Sequence, residues 1–312
     1  MTPLIVGAGE MAEAYVLALR ALGVEPAVVG RSRERAEALA AQLGVEVRWG
    51  GLEAVDAVPG TAIVAVDPQE LAAVTSALLA RGCRAVLVEK PGARVRGDLE
   101  KLRGARVAIG LNRRFYPSVD AARRLIDEDG GPLSASFDFT EIPERVLAEE
   151  RRREVLERWG LVNSLHVIDL FQHLAGLPAE WRGERAGGLQ WHPAGARFAG
   201  SGCTARGALF GYLATWDGAG RWSVEVTTHA RKLVLRPLEE LRVQAAGSFA
   251  LEPVGLEAEP AGLKPGLLGQ VRAFLAWAEG GERDPRLCDL DEFLAVFALT
   301  EAIFGYGSPE RP

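Results

Sequence analysis

Gly7-Ala8-Gly9-Glu10-Met11-Ala12 constrains this chain more than any other stretch. It follows a short apolar run, Pro3-Leu4-Ile5-Val6, and precedes a helical pattern from Ala14 to Leu22 that ends at Gly23. The spacing is G-x-G-x-x-A. The first glycine permits a tight turn, the second lets the backbone approach a pyrophosphate, and the small Ala12 lets helix and strand pack closely. The helix N-terminus then presents unpaired N–H groups and a favourable dipole to phosphate. With a strand before it and a helix after it, the pattern reads as a dinucleotide-binding turn. Glu10 and Met11 fall inside the turn and are expected to border the cofactor.

The second apolar run, Pro26-Ala27-Val28-Val29, ends in Gly30-Arg31-Ser32-Arg33. An acid here would bind the ribose hydroxyls of NAD. A guanidinium and a hydroxyl stand there instead, and they suit the 2′-phosphate of NADP. The expectation is therefore NADP, with NAD as the alternative if Arg31 stacks on adenine without discriminating.

Ala85-Val86-Leu87-Val88-Glu89-Lys90-Pro91-Gly92 is the second informative stretch. A continuous apolar run of this kind is a strand buried on both faces. Proline stops it, having no N–H for the ladder. Glu89 and Lys90 thus fall at the carboxyl end of a buried strand, the edge where open α/β sheets bind ligands. The chain has 36 basic residues, of which only Lys90, Lys101, Lys232 and Lys264 are lysine. Lysine can lose its proton when partly buried, whereas arginine keeps its charge. Lys90 either pairs structurally with Glu89 or does chemistry.

Strand and helix alternate as far as Gly110, which predicts a doubly wound parallel sheet. Asp67-Pro68 reads as an N-cap followed by proline at the first helical position, with Asp67 a candidate for the nicotinamide end. After Phe115 the pattern changes. A helix over 118–128 and a strand over 133–140 are followed by a charged helical stretch from Pro143 to Arg158. An apolar helix from Leu161 to Ala175 carries His166, Asp169 and His173. Strand segments from Trp181 to about Ala250, with hairpin turns, predict an antiparallel sheet. Helices over 267–277 and 289–304 close the chain. The fold class is thus α/β: a doubly wound parallel sheet over 1–115, then an α+β domain over 116–312 with a large, mostly antiparallel sheet. Its open face is the expected contact for a homodimer or homotetramer.

The net charge of −6 argues against a general nucleic-acid surface. No apolar run reaches the ~18 residues of a membrane span. Cys83, Cys203 and Cys288 are scattered, without metal-ligand spacing, and fit a reducing compartment. With a strand at the very start and no basic leader, the expectation is a cytoplasmic protein with a small-molecule substrate and no metal.

Three features coincide: the G-x-G-x-x-A turn, the Glu89-Lys90-Pro91 strand end and the His166-x-x-Asp169 helix. With the Gly110-Leu111-Asn112-Arg113-Arg114-Phe115 run, they make the chain resemble the Gfo/Idh/MocA oxidoreductase family. The resemblance implies a Rossmann domain joined to a mostly antiparallel α/β domain. It implies NAD(P)-linked oxidation of a secondary alcohol, or the reverse, on a sugar, cyclitol or related polyol. Carried over by residue, Lys90 polarises the substrate oxygen and His166 takes or gives the hydroxyl proton. Asn112 and Arg114 are implied substrate contacts. Members often have an aspartate four residues before the histidine, where this chain has Val162. Asn163 is then the candidate to hold a substrate hydroxyl, and Asp169 the candidate to orient the ring. The departure at Val162 motivates a rival reading, a cofactor-binding sensor or scaffold without turnover. Other reductase chemistry, such as C=N reduction, fits the same scaffold.

Overall fold

A computed structural model describes residues 2–306. The chain divides into two compact units. One takes Met1–Phe115 together with Glu259–Leu294; the other takes Tyr116–Ala258 and the residues from Ala295 onward. The sequence reading assigns 116–312 to the second domain, with the final helix, about 289–304, as the part that would pack back on the first; the compact units group Glu259–Leu294 with the first.

The first unit begins with β1 (Leu4–Val6), α1 (Glu10–Ala21), β2 (Ala27–Gly30), α2 (Arg33–Leu43) and β3 (Val47–Trp49). It continues through β4 (Thr61–Val64), α3 (Leu71–Ala80), β5 (Ala85–Glu89), α4 (Arg96–Glu100) and β6 (Arg106–Gly110). Among the described residues these strands form one parallel sheet in the order β3-β2-β1-β4-β5-β6. That is the dinucleotide-binding order, and it reverses between β1 and β4. β4 and β5 are buried along their whole length, as their unbroken apolar runs require. Each fully buried Val, Leu or Ile side chain contributes roughly 1.5–3 kcal/mol.

Asp67 does not cap a helix. Its carboxylate accepts from the Gln69 N–H at 3.0 Å and its carbonyl from the Glu70 N–H at 2.8 Å. A turn forms first, and α3 starts only at Leu71 with Glu70 as its cap residue.

In the second unit, α5 (Pro117–Glu128), β7 (Ser134–Asp138), α6 (Pro143–Val146) and α7 (Arg153–Leu156) precede a π-helical turn over Gly160–Ser164. That turn opens into α8 (Leu165–Ala175). Next come β8 (Pro178–Ala186), β9 (Arg197–Thr204), β10 (Leu209–Thr215), β11 (Ser223–Thr227), β12 (Arg231–Leu235), β13 (Arg242–Ala245) and β14 (Glu252–Pro253). The last helices are α9 (Leu267–Ala278), in the first unit, and α10 (Leu290–Phe304), which straddles the division. The sheet runs β14-β13-β12-β11-β7-β10-β9-β8, antiparallel throughout except for the parallel pair β7–β10.

Alternation along β10 explains its two faces. Phe210 and Tyr212 turn inward, and Leu209 and Leu213 remain exposed. On the inner face Phe171 of α8 stacks on Phe137 with ring centres 4.5 Å apart and lies 4.8 Å from Phe210.

The charged stretch from Pro143 to Arg158 is not one helix. It breaks into α6 and α7, because Arg151 folds back to donate to the Val146 carbonyl and lies 4.8 Å over the Trp159 ring. Local period favours a helix there, and these non-helical contacts override it. His192 is structural: Nδ1 donates to the Gly195 carbonyl at 2.7 Å, and Nε2 accepts from the Tyr306 hydroxyl at 2.6 Å. Tyr306 in turn accepts the Gly160 N–H at 3.0 Å, tying the start of the π-turn to the core.

Candidate active site

The cofactor end of the first unit is built by glycine. Gly7 leaves β1 at φ 141°, and its N–H donates to the Val29 carbonyl at 2.8 Å. A Cβ there would lie 2.1 Å from the Ala65 carbonyl oxygen, so only glycine fits. Gly9 is the opposite case. Nothing lies within 4 Å of where its Cβ would be, in front of the first turn of α1. That open face beside helical N–H groups is the space a pyrophosphate requires. Ala12 is fully buried against the sheet. These residues fit a dinucleotide. Glu10 is exposed and Met11 half-buried at the same turn.

At the end of β2, Arg31 pairs with Glu70, which lies just before α3. Ser32 caps α2 by accepting from the Arg35 N–H at 3.4 Å. The guanidinium expected to meet a 2′-phosphate thus already has a carboxylate on it.

At the end of β5, Glu89 is buried and accepts the Tyr15 hydroxyl at 2.6 Å. Burial pushes the Glu89 carboxyl above the usual carboxylate range; the Tyr15 hydrogen bond and the charges of Lys90 and Lys264 pull the other way. Lys90 follows, half-buried, at the carboxyl edge of the sheet. Pro91 then leaves the sheet.

Two expected substrate contacts are buried and hydrogen-bonded within the first unit. Arg114 is 1% exposed and donates to Glu292 at 2.7 Å. Asn112, also buried, spends its amide N–H on the Pro265 carbonyl at 2.8 Å. Both tie the end of β6 to the returning segment of the same unit.

The second unit gathers a separate polar cluster at the start of α8. His166 is 3% exposed, and Asp169 lies one turn later, also buried. Glu141, just beyond β7, is 6% exposed. It accepts from Ser164 Oγ at 2.6 Å and from Asn163 Nδ2 at 3.2 and 3.0 Å. The Trp222 indole is a further donor to it, and the Trp222 ring centre lies 6.5 Å from that of His166. Burial raises the Glu141 carboxyl above its ordinary range, while the donors around it, Ser164 foremost, oppose the rise. A carboxyl, an amide and an imidazole thus share one cluster.

Residues 1–104 match the model of an oxidoreductase family with an NAD-binding Rossmann fold. The matching model is that of the Gfo/Idh/MocA family. Solved structures with the same fold extend over the whole chain. An Agrobacterium radiobacter oxidoreductase in complex with NAD+, L-tartaric acid and magnesium has a TM-score of 0.81 at 16% identity, covering 100% of this chain and 97% of its own. Levoglucosan dehydrogenase in complex with NADH and levoglucosan has 0.79 at 20%, covering 98% and 96%. UDP-N-acetylglucosamine 3-dehydrogenase GnnA from Acidithiobacillus ferrooxidans has 0.78 at 17%, covering 98% and 97%. No curated protein matches the chain. At these identities the structural likeness establishes the fold.

Glu141 was missed by sequence reasoning, as was Glu70 beside Arg31. Neither lies in a Gfo/Idh/MocA motif identified from the sequence. Glu141 is separated from Asn163 by 22 positions and Glu70 from Arg31 by 39, so no local spacing links them. The residue type carried one clue for the first pair: the chain has only two asparagines, and Asn163 is one.

Proposed function

We propose that the chain is an NAD-linked oxidoreductase that interconverts a secondary alcohol and its ketone on a sugar, cyclitol or related polyol. One observation carries the reading: an open glycine turn at the N-terminus of α1 and a half-buried lysine at the carboxyl end of β5, on the same edge of one sheet. The sugar- and nucleotide-sugar-acting dehydrogenases among the structural neighbours support the substrate class.

Gly7, Gly9 and the first turn of α1, with Glu10 and Met11 alongside, would hold the dinucleotide, whose nicotinamide supplies the hydride acceptor or donor. Lys90 polarises the substrate oxygen. His166 exchanges the hydroxyl proton, as a general base needs a nitrogen within about 2.6–3.2 Å of it. Asp169 and the cluster around Glu141 hold the α8 start that presents the histidine. Between the two cofactors, the Arg31–Glu70 pair favours NAD over the NADP expected from Arg31-Ser32. A guanidinium already engaged by a carboxylate offers a 2′-phosphate less, and the carboxylate repels it. The free thiols of Cys83, Cys203 and Cys288 fit a reducing, cytoplasmic setting. The exposed Leu209 and Leu213 on the open face of β10 make that face the natural contact for a second copy.

The test is direct. Thermal shifts with NAD+, NADH, NADP+ and NADPH identify the cofactor, since a ligand at ~100 times its Kd adds roughly 2.7 kcal/mol of stability. A panel of sugars and cyclitols is then assayed by nicotinamide absorbance, with Lys90→Met as the control. Turnover lost in the variant with cofactor binding intact supports the reading. Cofactor binding with no turnover on any of the panel favours the sensor or scaffold that Val162 suggests. No binding of any of the four overturns both.

A further inference from the structure

Glu141 imposes an orientation on its neighbour. An ionised carboxylate only accepts hydrogen bonds. Asn163 approaches it with Nδ2, at 3.2 and 3.0 Å from the two oxygens. The amide is therefore fixed with its NH2 toward Glu141 and its carbonyl oxygen turned away. Ser164, fully buried, and the Trp222 indole also donate to the carboxylate. Asn163 is partly exposed, unlike Ser164. What it contributes is a rigid acceptor at the edge of the cluster. His166 comes three residues later, where the π-turn that carries Asn163 passes into α8.

We propose that Glu141 is a positioning residue that locks Asn163 Oδ1 as the acceptor for a hydroxyl adjacent to the reacting one, so that the site selects vicinal diols over isolated secondary alcohols. The inference rests on the oxidoreductase reading above and narrows its substrate class. His166 serves the hydroxyl being oxidised, and Asn163 reads its neighbour. A fixed acceptor discriminates more sharply than a mobile one, because a substrate lacking the hydroxyl leaves it unpaired in a site that has excluded water. Releasing the amide by removing the carboxylate lets it rotate and present NH2 instead, and the preference falls.

The experiment uses the full chain with saturating NAD+ and two substrates. One is the best polyol from the panel; the other is its deoxy analogue, without the hydroxyl next to the oxidised carbon. The quantity read is the ratio of their kcat/KM values. Wild type is expected to prefer the polyol by about 100-fold or more, within the range known for sites built to bind a hydroxyl. In Glu141→Gln and in Asn163→Ala the ratio falls at least ~10-fold, about one hydrogen bond's worth of discrimination. A purely structural Glu141 lowers both substrates in step and leaves the ratio where it was, which overturns the proposal. If Glu141→Gln fails to fold, Glu141→Asp, whose shorter side chain loosens the hold on Asn163, is read by the same ratio, and an unmoved ratio in Asn163→Ala overturns the proposal by itself. A wild type that turns over no member of the panel removes the oxidoreductase reading and this inference with it. A wild type that is active but indifferent to the neighbouring hydroxyl removes the inference only.

Discussion

Tyr15 and Glu89 share one buried hydrogen bond, 2.6 Å long, between the first helix and the end of strand β5. Burial raises the titration points of both groups, and each partner modifies the other's. Gly110 completes the pocket, since a Cβ there would sit 2.9 Å from the Glu89 carboxylate and 3.2 Å from the Tyr15 hydroxyl. Tyr15→Phe removes the donor and leaves the acceptor buried. Urea denaturation should register a loss of about 1–3 kcal/mol, the cost of an unsatisfied buried polar group. A loss below ~0.5 kcal/mol would mean that Glu89 is satisfied without Tyr15.

The two glycines of the turn should respond oppositely to the same change. Gly7→Ala forces a Cβ onto the Ala65 carbonyl at a φ of 141°, costing about 1–3 kcal/mol in backbone strain before the clash is counted. Gly9 has φ −108° and open space, so Gly9→Ala should leave the melting temperature nearly unchanged. Yet its methyl group fills the approach to the helix N-terminus. Isothermal titration should find NAD(H) affinity sharply reduced in Gly9→Ala, in a fully folded protein. Unaltered affinity would put the phosphates elsewhere.

Glu70 controls what Arg31 can offer. In Glu70→Gln the guanidinium loses its carboxylate partner. The Kd ratio of NAD+ to NADP+ should shift toward NADP+ by ~10-fold, about one charge-assisted hydrogen bond. Fluorescence titration of both cofactors reads this, and an unmoved ratio would separate Arg31 from cofactor choice.

Glu141 carries a pH signature of its own. Its carboxyl titrates above the ordinary range in the folded chain because it is buried. Between the ordinary and the raised value the folded state holds the proton and the unfolded state has lost it. Stability is therefore full below the ordinary carboxylate range and declines as pH rises through the raised value. Glu141→Gln has no such proton. Its penalty relative to wild type should be larger at pH 5 than at pH 8, measured by urea denaturation at both. A penalty that grows with pH would contradict the raised titration.

Much of the first unit was legible because its signals are local. The glycine turn, the apolar run that opens β5 and the proline that follows it each follow from neighbours in the chain. The second sheet was legible as alternating strands, although the parallel β7–β10 pair was not, since register direction depends on chain order in space. Asp67-Pro68 carried a sound capping signal, and a turn used the same carboxylate first. Asn112 and Arg114 looked like ligand-facing polar residues beside a strand end. They support the returning segment, from residues more than 150 positions away. Glu141 and Glu70 stayed invisible for the same reason.

The divided first unit bears on how the chain is made. Strand β6 lies at the sheet edge, and its Ile109 N–H finds the Cys288 carbonyl at 2.9 Å. Asn112 waits for Pro265, and Arg114 for Glu292. A ribosome releases all of Tyr116–Ala258 before any of these partners is synthesised. During translation the unit's edge strand stays open, the condition that invites pairing with other chains. Although its sequence begins first, this unit is completed last.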